Sequence, residues 1–253
     1  MAVREPPLPY PPGVRERIVR IALAEWEEWG SVVAEPGAAR PEGGAESSLA
    51  AFPRVLAYWR AAPDEGGAVA RNRARYAALL GAGPGTARPG AVWSEPAWSA
   101  AFVSWVMRSA GVDGREFPGS AAHAFYLDGL LADARDFPDA APFVPHGWGG
   151  RAPGPGDLVC ADRSRAPLAD LRERRAEAGR FRPMHCDVVV RAAPGAVEAV
   201  GGNVADAVTL TRYAADPETG RLLPRPPGEP VGVGVVENRL GRLPPFAVAG
   251  AGS

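Results

Sequence analysis

Residues Trp93 to Ala110 read WSEPAWSAAFVSWVMRSA, and a segment of this kind can fold in few ways. Phe102, Val103, Val106 and Ala110 recur at helical spacing on one side, while Trp98, Ala101 and Trp105 mark another. A helix that is apolar nearly all round has no face to offer water, so it must be central and covered on several sides. Ser94 is its predicted N-cap, Glu95 suits the positive end of the helix dipole, Pro96 is tolerated in a first turn and Gly111 supplies the stop.

The elements around it are read the same way. Ile18, Ile21, Ala22, Glu25, Trp26 and Trp29 give mostly three- and four-residue spacing, which predicts a helix from about Val14 to Trp29 ending at Gly30. Glu35 to Ser47 is a Gly/Glu/Ser loop, and Pro53 fits the first turn of a short apolar segment, Leu49 to Trp59. Ala68 to Leu80 is a further helix closed by Gly81, and another covers Ser120 to Leu131. From Gly156 the pattern changes. Asp157 to Cys160, Cys186 to Val190, Ala196 to Val200, Val208 to Tyr213 and Val231 to Val236 are short, β-branched runs separated by turn residues. Helices first and strands afterwards predict an α+β domain: helices packed on an antiparallel sheet of about five strands. We expect a disordered tail over residues 1–13, one domain over 14–243 (a helical part, 14–90, and a core, 91–243) and a second tail over 244–253.

Composition excludes several classes of function. The net charge of the 253-residue chain is −1, which gives no electrostatic footprint for nucleic acid. All 28 basic residues are arginine. No apolar run is long enough for a membrane span. Met1 to Pro12 lacks a charged region followed by an apolar core, so the sequence as given carries no secretory signal and the expected compartment is the cytoplasm. Cys160 and Cys186 do not make a disulfide framework and are read as reduced, small core residues. Their spacing to His and Asp matches no metal-ligand set, and no cofactor motif is present, so neither metal nor cofactor is expected. A monomer is expected.

Three pieces carry chemistry: AWSAAFVSWV with Ser99, HCDVVV with His185, and GGN with Asn203. A helix N-terminus carries roughly half a positive charge, which stabilises an oxyanion near Ser99. A histidine on a neighbouring strand can take the serine proton, and an Asn or Asp holds the ring in the right tautomer. Strand alternation puts His185 and Asp187 on one face with Cys186 on the other, so Asp187 rivals Asn203 as orienter. Asn203 also reads as turn chemistry. Trp93, Ser94, Trp98 and His123 are candidate substrate contacts: the tryptophans by stacking, the Ser94 hydroxyl as an oxyanion donor, and His123 as a cleft residue or a half-buried helix histidine. His146, among Pro and Gly, is expected to be solvated.

These pieces, with GDLVC, resemble in order the WCAAFVSWV-type helix, the GDxV strand, the HVGIVV strand and the third polar segment of the papain-like CHAP and NlpC-type cell-wall amidases and peptidases. The N-terminal IALAEWEEWG and the segment SAAHAFYLD resemble a bacterial offshoot of that group, the domain of unknown function DUF2272. The likeness runs from about Val14 to Leu240. It implies a papain-like fold, a Ser99–His185–Asn203 triad with serine where the nucleophilic cysteine would sit, a peptide or peptidoglycan-like amide as substrate, and the cell envelope as an alternative compartment. Serine is the departure. Its hydroxyl is a far weaker acid than a thiol and loses its proton only in concert with a base. Three readings therefore stand side by side: a serine-variant amidase or endopeptidase, an inactive module that binds peptide or glycan, and an intracellular amide or ester hydrolase.

Overall fold

The computed structural model describes residues 13–34, 51–63, 67–81 and 97–241. Residues 1–12 of the first expected tail, the second tail, Trp93, Ser94 and the whole 35–47 loop lie outside these residues. The helices are α1 (Val14–Glu28), α2 (Phe52–Trp59), α3 (Ala68–Gly81), α4 (Ser99–Ser109), α5 (His123–Asp136) and a 3-10 helix (Leu171–Glu177). The strands are β1 (Val32–Ala34), β2 (Phe143–Gly147), β3 (Leu158–Asp162), β4 (Met184–Ala193), β5 (Ala196–Val204), β6 (Ala207–Ala214) and β7 (Val231–Asn238). They form one sheet in the order β1-β6-β5-β4-β3-β7-β2.

The α+β class holds, but the sheet is larger than five strands and is mixed. β1 pairs in parallel with β6, while every other named pair is antiparallel. The two unanticipated strands are the two edges, where the sequence signal is weakest. β1 has three residues. β2 reads Phe-Val-Pro-His-Gly, and a proline that would disrupt a central ladder is tolerated at an edge.

Helix α4 is central, as its composition requires. Phe102, Val103 and Val106 are fully buried, and the helix packs on β4 and β5 with α1 and α2 beside it. Trp98 sits in an aromatic cluster, with ring centroids 5.4 Å from Trp29 and 5.3 Å from Tyr58. The start of the helix corrects the expected cap. The first helical residue is Ser99 with Trp98 in the capping position, so Ser94 lies too far upstream to cap it. On β5, Gly202 permits the close approach of helix and sheet: a Cβ there would stand 2.6 Å from the Phe102 Cβ.

The two cysteines also depart from expectation. Cys160 and Cys186 face each other in the β3–β4 register and form a disulfide. Twenty-six residues separate them, so only the strand pairing brings them together. Both are fully buried, as expected of core residues. Among the described residues no helix is long and apolar enough to cross a membrane.

Because Val106 is enclosed on every side, Val106→Asp leaves a carboxylate with no partner and should destabilise the protein by at least about 3 kcal/mol. A chemical melt is the measurement. A midpoint equal to that of the wild type would contradict the central placement of α4.

Candidate active site

Ser99 is the first residue of α4, so its backbone N–H belongs to the turn whose amides have no carbonyl four residues back. Its side chain is only 8 % exposed and opens on a cavity of about 710 Å³. Its hydrogen-bond partner is His123, on the first turn of α5, with Oγ 2.8 Å from Nε2. On the other side of that ring, Nδ1 lies 2.5 Å from the Tyr126 hydroxyl, three residues along the same helix. His123 is thus a buried histidine lining the cavity, between the two roles expected for it.

His185 stands edge-on to His123, with ring centroids 5.3 Å apart. Its Nε2 lies 2.7 Å from Asp187 Oδ1, an ion-pair distance, although the direction of approach is not that of a well-formed hydrogen bond. Its Nδ1 is buried without a partner among the described residues. The other Asp187 oxygen accepts a hydrogen bond from Tyr213, and the Arg225 guanidinium lies over the Tyr213 ring at 5.3 Å. Strand parity therefore pairs His185 with Asp187. The structure brings Ser99, His123, His185 and Asp187 into one group, in which Ser99 touches His123 rather than His185.

The other candidates fall elsewhere. Asn203 sits at a register break near the end of β5, with a left-handed φ of 57°. The turn reading of Gly-Gly-Asn accounts for that backbone. Trp98 is wholly buried and presents no face to the cavity. His146 is half-buried rather than solvated, because strand β2 holds it 3.1 Å from Glu237. The sequence signal missed for His123 is its i, i+3 relation to Tyr126, which lets one helical turn orient the ring.

Electrostatics separates the two histidines. Burial, with the charges of His185 and Arg163, holds the His123 pKa well below the ordinary range, so the ring is neutral at neutral pH. Burial, with the Asp187 charge, pushes Tyr126 well up and keeps its phenol protonated. That phenol has no other acceptor among the described residues, so it donates to Nδ1, and His123 then donates Nε2–H to the Ser99 oxygen. Burial alone would raise Asp187. The charge and contact of His185, the Tyr213 hydroxyl and the Arg225 charge outweigh it and hold the carboxyl below its ordinary value. With the Asp187 carboxylate beside Nε2, Nδ1 is the His185 ring nitrogen left without a charged neighbour in contact among the described residues.

The arrangement is that of an α+β protein with a serine at a helix start, two imidazoles of unequal character and a buried carboxylate beside a cavity. The model of a family described as an uncharacterized protein conserved in bacteria, DUF2272, matches residues 46–233, and the chain belongs to that family. No curated protein and no solved structure matches the chain.

The lowered pKa of Asp187 fixes the sign of a pH effect. The ion contributes stability above the unfolded aspartate value of about 3.9 and loses it as pH falls through the lower folded value. Asp187→Asn should therefore be less stable than wild type at neutral pH, with the two stability curves converging as pH falls below the unfolded aspartate value of about 3.9. Urea midpoints measured from neutral to acid pH test this. A gap that stays constant with pH would show that the Asp187 charge is not the cause.

Proposed function

We propose that this protein is a hydrolase of small amides or esters with Ser99 as nucleophile, His185 as general base and Asp187 as the group that orients and balances the His185 ring. The observation that supports this reading best is the pair of contacts around one serine: Ser99 Oγ at 2.8 Å from His123, and the edge-on His185 with an unpartnered Nδ1 and a carboxylate 2.7 Å from Nε2. As Ser99 attacks a carbonyl carbon, its proton passes to His185 Nδ1, and Asp187 offsets the imidazolium charge. His123 cannot easily accept a proton in its buried setting; donating Nε2–H to the serine oxygen, it favours the growing negative charge there. The Ser99 backbone N–H, at the helix start, is an oxyanion donor. The tetrahedral intermediate collapses with return of the proton from His185 to the leaving group, and water, activated the same way, releases the acyl group from Ser99.

The resemblance to papain-like CHAP and NlpC-type enzymes favours a peptide of the bacterial cell wall as the amide, and the envelope as the compartment. Asp187 replaces Asn203 as the favoured orienter, since Asp187 is the residue in contact with His185. One observation favours the second reading, a module that binds peptide or glycan without cleaving it: among the described residues the hydrogen bond of Ser99 is to His123, and it makes none to His185.

A fluorophosphonate probe separates the two. Wild type should be labelled, Ser99→Ala should not, and His185→Ala should be labelled at least about 100-fold more slowly. Loss of labelling in His123→Ala with full labelling in His185→Ala would reassign the base to His123. An unlabelled wild type leaves the binding module.

A further inference from the structure

The cavity beside Ser99 has a composition the serine chemistry does not explain. Among its described lining residues are three arginines, Arg71, Arg163 and Arg182, and no aspartate or glutamate. Arg182 is neutralised, since it bonds Glu177 and Asp162 at 2.6–2.8 Å. Arg71 has interactions of its own. Arg163 is different: it is exposed, and among the described residues its guanidinium makes no hydrogen bond or ion pair. Its backbone is fixed, because its N–H donates to the Pro183 carbonyl at 2.8 Å, and its neighbour Asp162 is buried in β3. A positioned, unpaired guanidinium at the mouth of a cavity is a carboxylate receptor, since its planar fork matches two carboxylate oxygens.

The rest of the wall is apolar. Phe125 and Phe181 line the same cavity and remain 39 % and 70 % exposed, respectively, more than large aromatic side chains usually tolerate without a partner. A volume of about 710 Å³ suits a molecule of a few residues or a fragment of similar size.

Resting on the serine-site reading above, we propose that the substrate carries a free carboxylate held by Arg163, with an apolar or aromatic part against Phe125 and Phe181. The ligand is an acylated amino acid or short peptide with an exposed carboxylate rather than a neutral ester. Binding of the carboxylate would also offset one of the two charges that disfavour protonation of His123.

The test is a pair of probes that differ only in that group: N-acetylphenylalanine and N-acetylphenylalaninamide, titrated calorimetrically into wild type, Arg163→Ala and Arg163→Lys. The acid should bind wild type about 10-fold or more tighter than the amide. The two should bind alike to Arg163→Ala, and Arg163→Lys should keep part of the preference. Because Arg163 has no side-chain partners to lose, both variants should fold, which a thermal melt checks. Equal affinities in wild type, a preference that survives Arg163→Ala, or no binding of either probe would overturn the proposal. Its failure is distinguishable from failure of the hydrolase reading. Fluorophosphonate labelling with no carboxylate preference leaves Ser99 as nucleophile and removes this inference, and a carboxylate preference without labelling does the reverse.

Discussion

Everything at the site depends on how closely α4 can lie on the sheet, and two adjacent glycines of β5 set that distance. At Gly202 a methyl group would collide with Phe102 and the Trp98 ring. At Gly201 it would fall 1.8 Å from Asp187 Oδ1 and 3.0 Å from His185 Nε2. The first hollow admits the helix that begins at Ser99 onto the central strands β4 and β5. The second leaves the space in which the His185–Asp187 pair lies. The GGN segment thus serves the site chiefly through its glycines. Its asparagine takes the left-handed backbone at the register break, a conformation Asn adopts more readily than most residues.

Within that frame the two histidines are given opposite environments. His123 is enclosed, tied to a phenol that keeps its proton and influenced only by positive neighbours, so its neutral form is strongly favoured. His185 has a carboxylate beside one nitrogen and, among the described residues, no hydrogen-bond partner at the other. The Asp187 carboxyl, in turn, is held below its ordinary value against burial by His185 first, then by the Tyr213 hydroxyl and the Arg225 charge. A single imidazole would have to hold the serine and move its proton at once. In the mechanism proposed above, dividing the work lets one ring donate while the other accepts.

The helices were legible because three- and four-residue spacing survives in a single sequence. Ile18, Ala22 and Glu25 mark the buried side of α1, and Val55 and Trp59 that of α2. The central strands were legible from β-branched runs. The sheet edges were not, since β1 is too short to show a period and Pro145 interrupts β2. The same division holds at the site. Ser99, His185 and Asp187 lie in local patterns, whereas the Ser99–His123 contact joins two helices 24 residues apart and leaves no periodic trace. Charge pairing was illegible for a further reason: with twenty-eight arginines in the chain, only the fold shows that Arg182 is neutralised while Arg163 has no ion pair among the described residues.

The bridge between Cys160 and Cys186 joins two directly opposed residues of β3 and β4, and Cys186 is flanked in sequence by His185 and Asp187. Closing a loop of this length constrains the unfolded chain by about 3.5 kcal/mol in the chain-entropy account. The thiol state is therefore a variable of the preparation. Protein made in a reducing host and protein made in an oxidising one are two species with the same sequence and different resistance to unfolding, and the species that lacks the bridge has lost its covalent brace beside His185 and Asp187.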